Sequence, residues 1–155
     1  MKLNFGSNMK LNFGSGCEKK YLPEGFVNVD IGDFADVKWD LNKYPYPFKN
    51  KSVDYILASH IVEHLKEPFD FFKECYRIMK EGATMKIKVP HVSAFGGAFG
   101  SFEHRHFFHE SAIDSITGEI GSSIFPHKFK HIRTEVKYGR FLFWQKREII
   151  WVIRK

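Results

Sequence analysis

The most regular alternation of apolar and polar positions runs from Thr84 to Val89, where Met85, Ile87 and Val89 take one side and Lys86 and Lys88 the other. A period of two predicts a strand with one dry and one wet face, closed by Pro90. Just upstream the period changes. Phe69, Phe72, Tyr76 and Met79 recur at steps of three, four and three, so residues 68 to 79 are predicted as an amphipathic helix opened by Pro68. Lys80-Glu81-Gly82 supplies its glycine stop. Val53-Asp54-Tyr55-Ile56-Leu57 is nearly continuously apolar, as expected of a central strand covered on both faces. Residues 9 to 13, 26 to 30 and 37 to 41 add three more strands, residues 107 to 117 a helix, and residues 129 to 138 and 147 to 153 a closing pair of strands. Tyr44-Pro45-Tyr46-Pro47-Phe48 is a stiff extended link, and Cys17 to Leu22 leaves room only for a short helix before Pro23-Glu24-Gly25. Residues 91 to 105, with Gly96, Gly97 and Gly100 between Phe95, Phe99 and Phe102, read as a mobile flap able to exclude water from a site. This order predicts an α/β fold with a mostly parallel sheet, an antiparallel C-terminal hairpin and helices on both faces.

At 155 residues the chain is expected to form a single domain over residues 9 to 155, with no room for a separate substrate domain. MKLNFGS at 1 to 7 recurs at 9 to 15, and only the second copy runs on into Gly16. Residues 1 to 8 are therefore read as a duplicated start or cloning remnant, expected to be disordered. The sequence has no run of eighteen apolar residues and no signal-peptide order at its start, which predicts a soluble, cytoplasmic protein with no membrane partner. Its two cysteines, Cys17 and Cys75, read as reduced thiols. The net charge of +6 favours an anionic partner, but the lysines are scattered as on solvated strand faces, so nucleic acid is not the favoured partner.

Candidate chemistry concentrates in Leu11-Asn12-Phe13-Gly14-Ser15-Gly16 and, fourteen residues later, Val27-Asn28-Val29-Asp30. This is a strand, a glycine turn and a second strand tipped by an acid, the layout of a nucleoside-binding α/β domain. Gly14 and Gly16 can adopt positive φ and leave room for a ligand, and a carboxylate at a strand tip can accept both hydroxyls of a ribose. The competing reading of Asp30 and Asp40 is that they cap turns or helix starts.

Together these segments resemble a class I S-adenosylmethionine-dependent methyltransferase. LNFGSG is similar to that family's first cofactor motif, VNVDI to its ribose strand, WDL to its adenine loop, PFKNKSVDYILASHIVEHL to its fourth strand and following turn, and FFKECYRIMKEGATMKIKVPH to the next helix and fifth strand. The resemblance implies a Rossmann-like sheet and S-adenosylmethionine as cofactor, with S-adenosylhomocysteine as product. It implies that Asn12, Phe13, Gly14, Ser15 and Gly16 cradle the methionine part, that Asp30 holds the ribose diol and that Ile31 lies on the adenine. It further implies that Asp40 and the backbone of Leu41 receive the adenine amine, and that Ser59 and His60 sit beside the methionine end. Asn12 stands where the family usually has an acid, and Glu18 where it often has a third glycine.

The expected reaction moves a methyl group to an oxygen or nitrogen of a small metabolite or sugar-type acceptor, anionic in keeping with the charge. Histidine is the natural base near neutral pH. His60, after the fourth strand, and His91, after the fifth, are the best placed at the carboxyl ends of parallel strands, and His104 can swing in from beyond the flap. His60 with His64, and His104-x-His106-x-x-His109, also suggest metal, to which Glu63 or Glu103 could add; spacing alone does not establish converging ligands, and no metal is expected. Two other readings compete. One is a non-catalytic cofactor-binding module, with a homodimer or partner subunit completing the pocket. The other is an RNA-associated methyltransferase, against which Ala58-Ser59-His60-Ile61 stands where an N-P-P-Y-type tetrapeptide would serve base amines.

Overall fold

A computed structural model describes residues 8–16, 23–94, 97–118, 125–139 and 146–155. Among the described residues seven strands form one sheet: β1 (Met9–Phe13), β2 (Val27–Asp30), β3 (Val37–Lys38), β4 (Val53–Ser59), β5 (Met79–Pro90), β6 (Lys130–Tyr138) and β7 (Lys146–Arg154). Their spatial order is β3-β2-β1-β4-β5-β7-β6. The first five pair in parallel, and β7 joins β5 and β6 antiparallel, the mixed sheet that the periodicities predicted. The apolar run at Val53 is central, flanked by β1 and β5.

Register explains the core. Leu11, Ile56, Met85 and Ile153 stand opposite one another in one row, and Phe13, Ala58, Ile87 and Trp151 in the next, each no more than 2% exposed. The helix α1 (Pro68–Ile78) presses Phe71, Phe72, Cys75 and Ile78 onto this face, where the Phe71 ring meets Phe13 edge-on at 5.8 Å. Alternate positions Lys10, Leu57, Lys86 and Val152 point the other way and are partly buried. A short helix, α2 (Asp114–Thr117), lies over the same face as α1, and the two line a cavity of about 400 Å³ with Trp151.

Three boundaries differ from the periodic reading. The strand label of β5 begins at Met79 because that residue pairs with Val53; residues 80–83 bulge before pairing resumes at Tyr55 and Thr84, with Gly82 at φ +79° making the expected turn. β3 ends at Lys38: the Trp39 N–H makes the last ladder bond, to the Asp30 carbonyl, and Asp40 then accepts the Asn42 N–H, closing a turn. The helix predicted over 107 to 117 begins only at Glu110, as a 3₁₀ turn to Ile113 that runs into α2: His109 caps it by accepting the Ser111 N–H, and Phe108 is drawn into a bridge with His91. The short helix predicted at Cys17 to Leu22, the first MKLNFGS copy and Phe95-Gly96 of the flap lie outside the described residues.

The proline link is held by Arg77. Its guanidinium donates to the carbonyls of Tyr46 and Phe48, to Asn50 and to both oxygens of Glu74, while Glu74 also accepts the Tyr46 N–H. Arg77→Met removes a charged donor set and strands acceptors, which should cost about 2–3 kcal/mol. Urea unfolding checks this; a loss below about 0.5 kcal/mol, the range of an ordinary surface change, would contradict the bracing role.

Candidate functional site

The strand order changes direction between β1 and β4, and in parallel sheets ligands bind outside the carboxyl ends of the strands at such a point. A cleft of about 580 Å³ opens there, lined by Gly14, Gly16, Asp30, His60, Ile61, His64, Phe102, Glu103 and Arg105. The apolar cavity between α1 and α2 is more enclosed but holds no convergent set of acids or glycine turns. The chemistry therefore belongs to the cleft.

The glycine turn is built for close approach. Gly14 sits at φ +69°, and a Cβ on it would lie 2.6 Å from Cβ of Ile61, so only glycine fits. Its N–H donates to the Val29 carbonyl at 3.0 Å, tying the turn to β2. Gly16, at φ +75°, has open space around it and donates its N–H to Asp30 Oδ2 at 3.0 Å. Asp30 Oδ1 accepts the Gly32 N–H at 2.9 Å. The Asp30 carboxylate is thus oriented by two amides at the lip of the cleft, and each oxygen retains a second lone-pair direction. Beside it, Ile31 is 74% exposed, an apolar side chain left on the surface next to a polar cleft.

Other residues of the motif act from behind. Asn12 is buried and donates its amide to Asn28 at 2.9 Å, and Asn28 in turn donates to Asp36 from both its backbone and its side chain. This network braces β1 against β2 and does not line the cleft. The Phe13 side chain is wholly buried in the core. Asp40 Oδ1 holds the Asn42 turn, and that backbone hydrogen bond keeps its carboxyl below the usual range despite some burial. The Leu41 carbonyl accepts the Tyr46 hydroxyl at 2.8 Å. Ser59 is the last residue of β4, partly buried, one step before the cleft-lining His60.

His60 is a non-glycine residue at φ +52°, a conformation that costs of order ~1–3 kcal/mol unless its surroundings impose it. Its surroundings do so. Its N–H donates to the Lys88 carbonyl, its Nδ1 lies 3.3 Å from Glu63 Oε1 and its Nε2 lies 2.8 Å from Glu148 Oε1. The Glu63 carboxylate raises the His60 pKa most; burial opposes this and Glu148 adds to the rise. Burial works against charge on Glu148 too, but the hydrogen bond and charge of His60, with Lys137 and Lys88, hold its carboxyl below the usual range. The unit is an imidazole ring between two carboxylates, both of which favour its charged form.

His91 is 3% exposed and lies outside the cleft lining. Its Nδ1 accepts the Ser93 N–H at 3.0 Å, so Nε2 carries the proton and donates it to Glu110 at 2.6 Å. His104 turns Nδ1 to the Ala98 carbonyl at 2.8 Å and stacks edge-on against His64. Of the three histidines expected to act, the structure brings only His60 into the cleft wall. The sequence reading passed over Ile61 and Glu148, which fix Gly14 and His60 through contacts distant in the chain, and named Glu63 only as an aid to metal.

Comparison with known proteins fits this geometry. The family described as "Methyltransferase domain" matches residues 16–87, which span the acid-tipped strand, the central strand, α1 and most of β5. Over these residues, just under half of the chain, the sequence is similar to that family. The ajmaline N-methyltransferase of Rauvolfia serpentina is 34% identical over 64 residues, 41% of this chain, and the match spans 19% of that enzyme. A SAM-dependent methyltransferase of Archaeoglobus fulgidus superposes with a TM-score of 0.68 at 16% identity, over 97% of this chain and 87% of that one. The 1,6-didemethyltoxoflavin-N1-methyltransferase of Burkholderia thailandensis, solved with 1,6-didemethyltoxoflavin and S-adenosylhomocysteine, superposes at 0.66 with 11% identity, over 96% and 71%. The cleft is bounded on one side by Phe102, Glu103 and Arg105. No helix among the described residues is long and apolar enough to cross a membrane.

Proposed function

We propose that this chain is a class I methyltransferase domain that binds S-adenosylmethionine in the cleft at the ends of β1, β2 and β4, and transfers its methyl group to an oxygen or nitrogen of a small acceptor. The observation that carries the reading is the Asp30 carboxylate, aimed by Gly16 and Gly32 beside a glycine turn with no room for a side chain. In this reading Asp30 accepts the ribose hydroxyls, Ile31 covers the adenine face, and Asp40 with the Leu41 backbone meets the adenine amine. The backbone from Phe13 to Gly16 lies along the methionine part, with Ser59 and His60 at its far end and Asn12 bracing from behind. The bound cofactor supplies an electrophilic methyl on a good leaving group, so the protein has chiefly to align an acceptor and exclude water.

His60, with both ring nitrogens turned to carboxylates, shapes the cleft wall beside the acceptor and does not act as its base. His91 and His104 serve the frame around the site. The small acceptor is supported by the matches to ajmaline N-methyltransferase and 1,6-didemethyltoxoflavin-N1-methyltransferase. The test is transfer of labelled methyl from S-adenosylmethionine to a panel of small amines, phenols and sugars by wild type and Asp30→Ala. Label should appear in at least one acceptor class and disappear in the variant. Cofactor binding with no transfer to any acceptor would overturn the catalytic half and leave a binding module.

A further inference from the structure

Among the described residues, two groups bring three metal-ligating side chains within reach of one another: His91 with His109 and Glu110, and Glu63 with His64 and His104. The first is already satisfied. The Ser93 N–H fixes the His91 tautomer, and its Nε2–H is spent on Glu110.

The second group has the opposite character. Glu63 is 1% exposed, yet neither carboxylate oxygen accepts a hydrogen bond. A buried carboxylate in that state is costly, and His60 at 3.3 Å offers it an ion pair without an aligned hydrogen bond. One ligand atom from each of Glu63, His64 and His104 lies within 4.8 Å of the others. Both imidazoles face backbone carbonyls through Nδ1, His64 at 3.3 Å from the Glu103 oxygen and His104 at 2.8 Å from the Ala98 oxygen. A carbonyl only accepts, so Nδ1 carries the proton in each ring and Nε2 keeps the lone pair. That is how metal-ligating histidines are commonly held, with the second nitrogen donating to a carbonyl or carboxylate. The arrangement is also preformed: the Glu63 carbonyl accepts the N–H groups of Arg105 and His106, which pins the segment bearing His104 against the turn bearing His64.

We infer that Glu63, His64 and His104 form a binding site for a divalent transition-metal ion of the zinc type. Two imidazoles and one carboxylate suit zinc better than magnesium or calcium, and three protein ligands leave a coordination position for water or a ligand oxygen. His64 lines the cleft, so that position is reached from the same side as an acceptor. A metal here would neutralise the buried Glu63 charge and lock the 103–106 segment over the site. The inference rests on this geometry and not on the methyl-transfer reading, so either can fail alone.

The test is calorimetric titration of Zn²⁺ into the full chain after chelator treatment, with Co²⁺ absorption reporting coordination. The wild type should bind one ion per chain, with affinity falling at least about ten-fold in Glu63→Gln and His104→Ala and unchanged in His109→Ala. Thermal melts accompany each titration, and His64→Gln stands in if Glu63→Gln does not fold. Zn²⁺ should raise the melting temperature of the wild type and not of His104→Ala. An absence of saturable binding, binding that survives Glu63→Gln and His104→Ala, or loss in His109→Ala instead would each overturn the site. S-adenosylhomocysteine titrated into the same metal-free protein reports separately on the cofactor cleft.

Discussion

Gly14→Ala should destabilise the domain more than any other single change at the cleft. Two costs add. An L-residue held at φ +69° pays roughly 1–2 kcal/mol, and forcing a Cβ to within 2.6 Å of the Ile61 side chain adds overpacking of about 1–3 kcal/mol. The sum, about 2–5 kcal/mol, is a large part of the 5–15 kcal/mol that holds an ordinary domain together. Gly16→Ala is the internal comparison: it has a similar φ, but nothing lies within 4 Å of its Cβ position, so only the backbone cost of about 1–2 kcal/mol applies. Urea midpoints of the two variants, read against the wild type, separate the terms. Equal losses for both would mean that the close approach of Ile61 to the turn is absent in solution.

The second large effect is on binding. Asp30→Ala removes an ionised acceptor from the cleft lip, which should weaken S-adenosylmethionine binding by about 1.5–3 kcal/mol, roughly ten- to a hundred-fold. Equilibrium dialysis with labelled cofactor measures it. The same carboxylate holds the Gly16 and Gly32 amides, so part of the loss could come through a loosened turn. Asp30→Asn separates the two: it keeps an acceptor oxygen for one amide and loses the charge, and should fall between alanine and wild type. Cofactor affinity unchanged in both variants would remove Asp30 from the ribose role.

Much of this was legible in the sequence, for identifiable reasons. Strand alternation at Met85 to Val89, the helical step at Phe69 to Met79 and the glycine turn before an acid-tipped strand are local signals, and each maps onto an observed element. What local reading missed is pairing across the chain. His60 looks like a free base until Glu148, 88 residues away, is placed on its Nε2. Asn12 looks like a cofactor ligand until Asn28, in the neighbouring strand, takes its amide. His91 at a strand end has the right address, but its two nitrogens are committed to Ser93 and Glu110. The metal question turned on the same point: histidine spacing cannot say which nitrogen keeps its lone pair, whereas the carbonyls of Glu103 and Ala98 do. Glu63 did leave a trace, as an acid between Val62 and Leu65, both 1% exposed or less.

The central proposal is that the cleft at the carboxyl ends of β1, β2 and β4 binds the nucleoside and methionine parts of S-adenosylmethionine. Calorimetric titration of S-adenosylhomocysteine into the purified protein tests it most directly. The account predicts one binding event per chain with a micromolar or tighter dissociation constant, about −8 kcal/mol or better. No heat at millimolar ligand, with the protein folded by thermal melt, would contradict it.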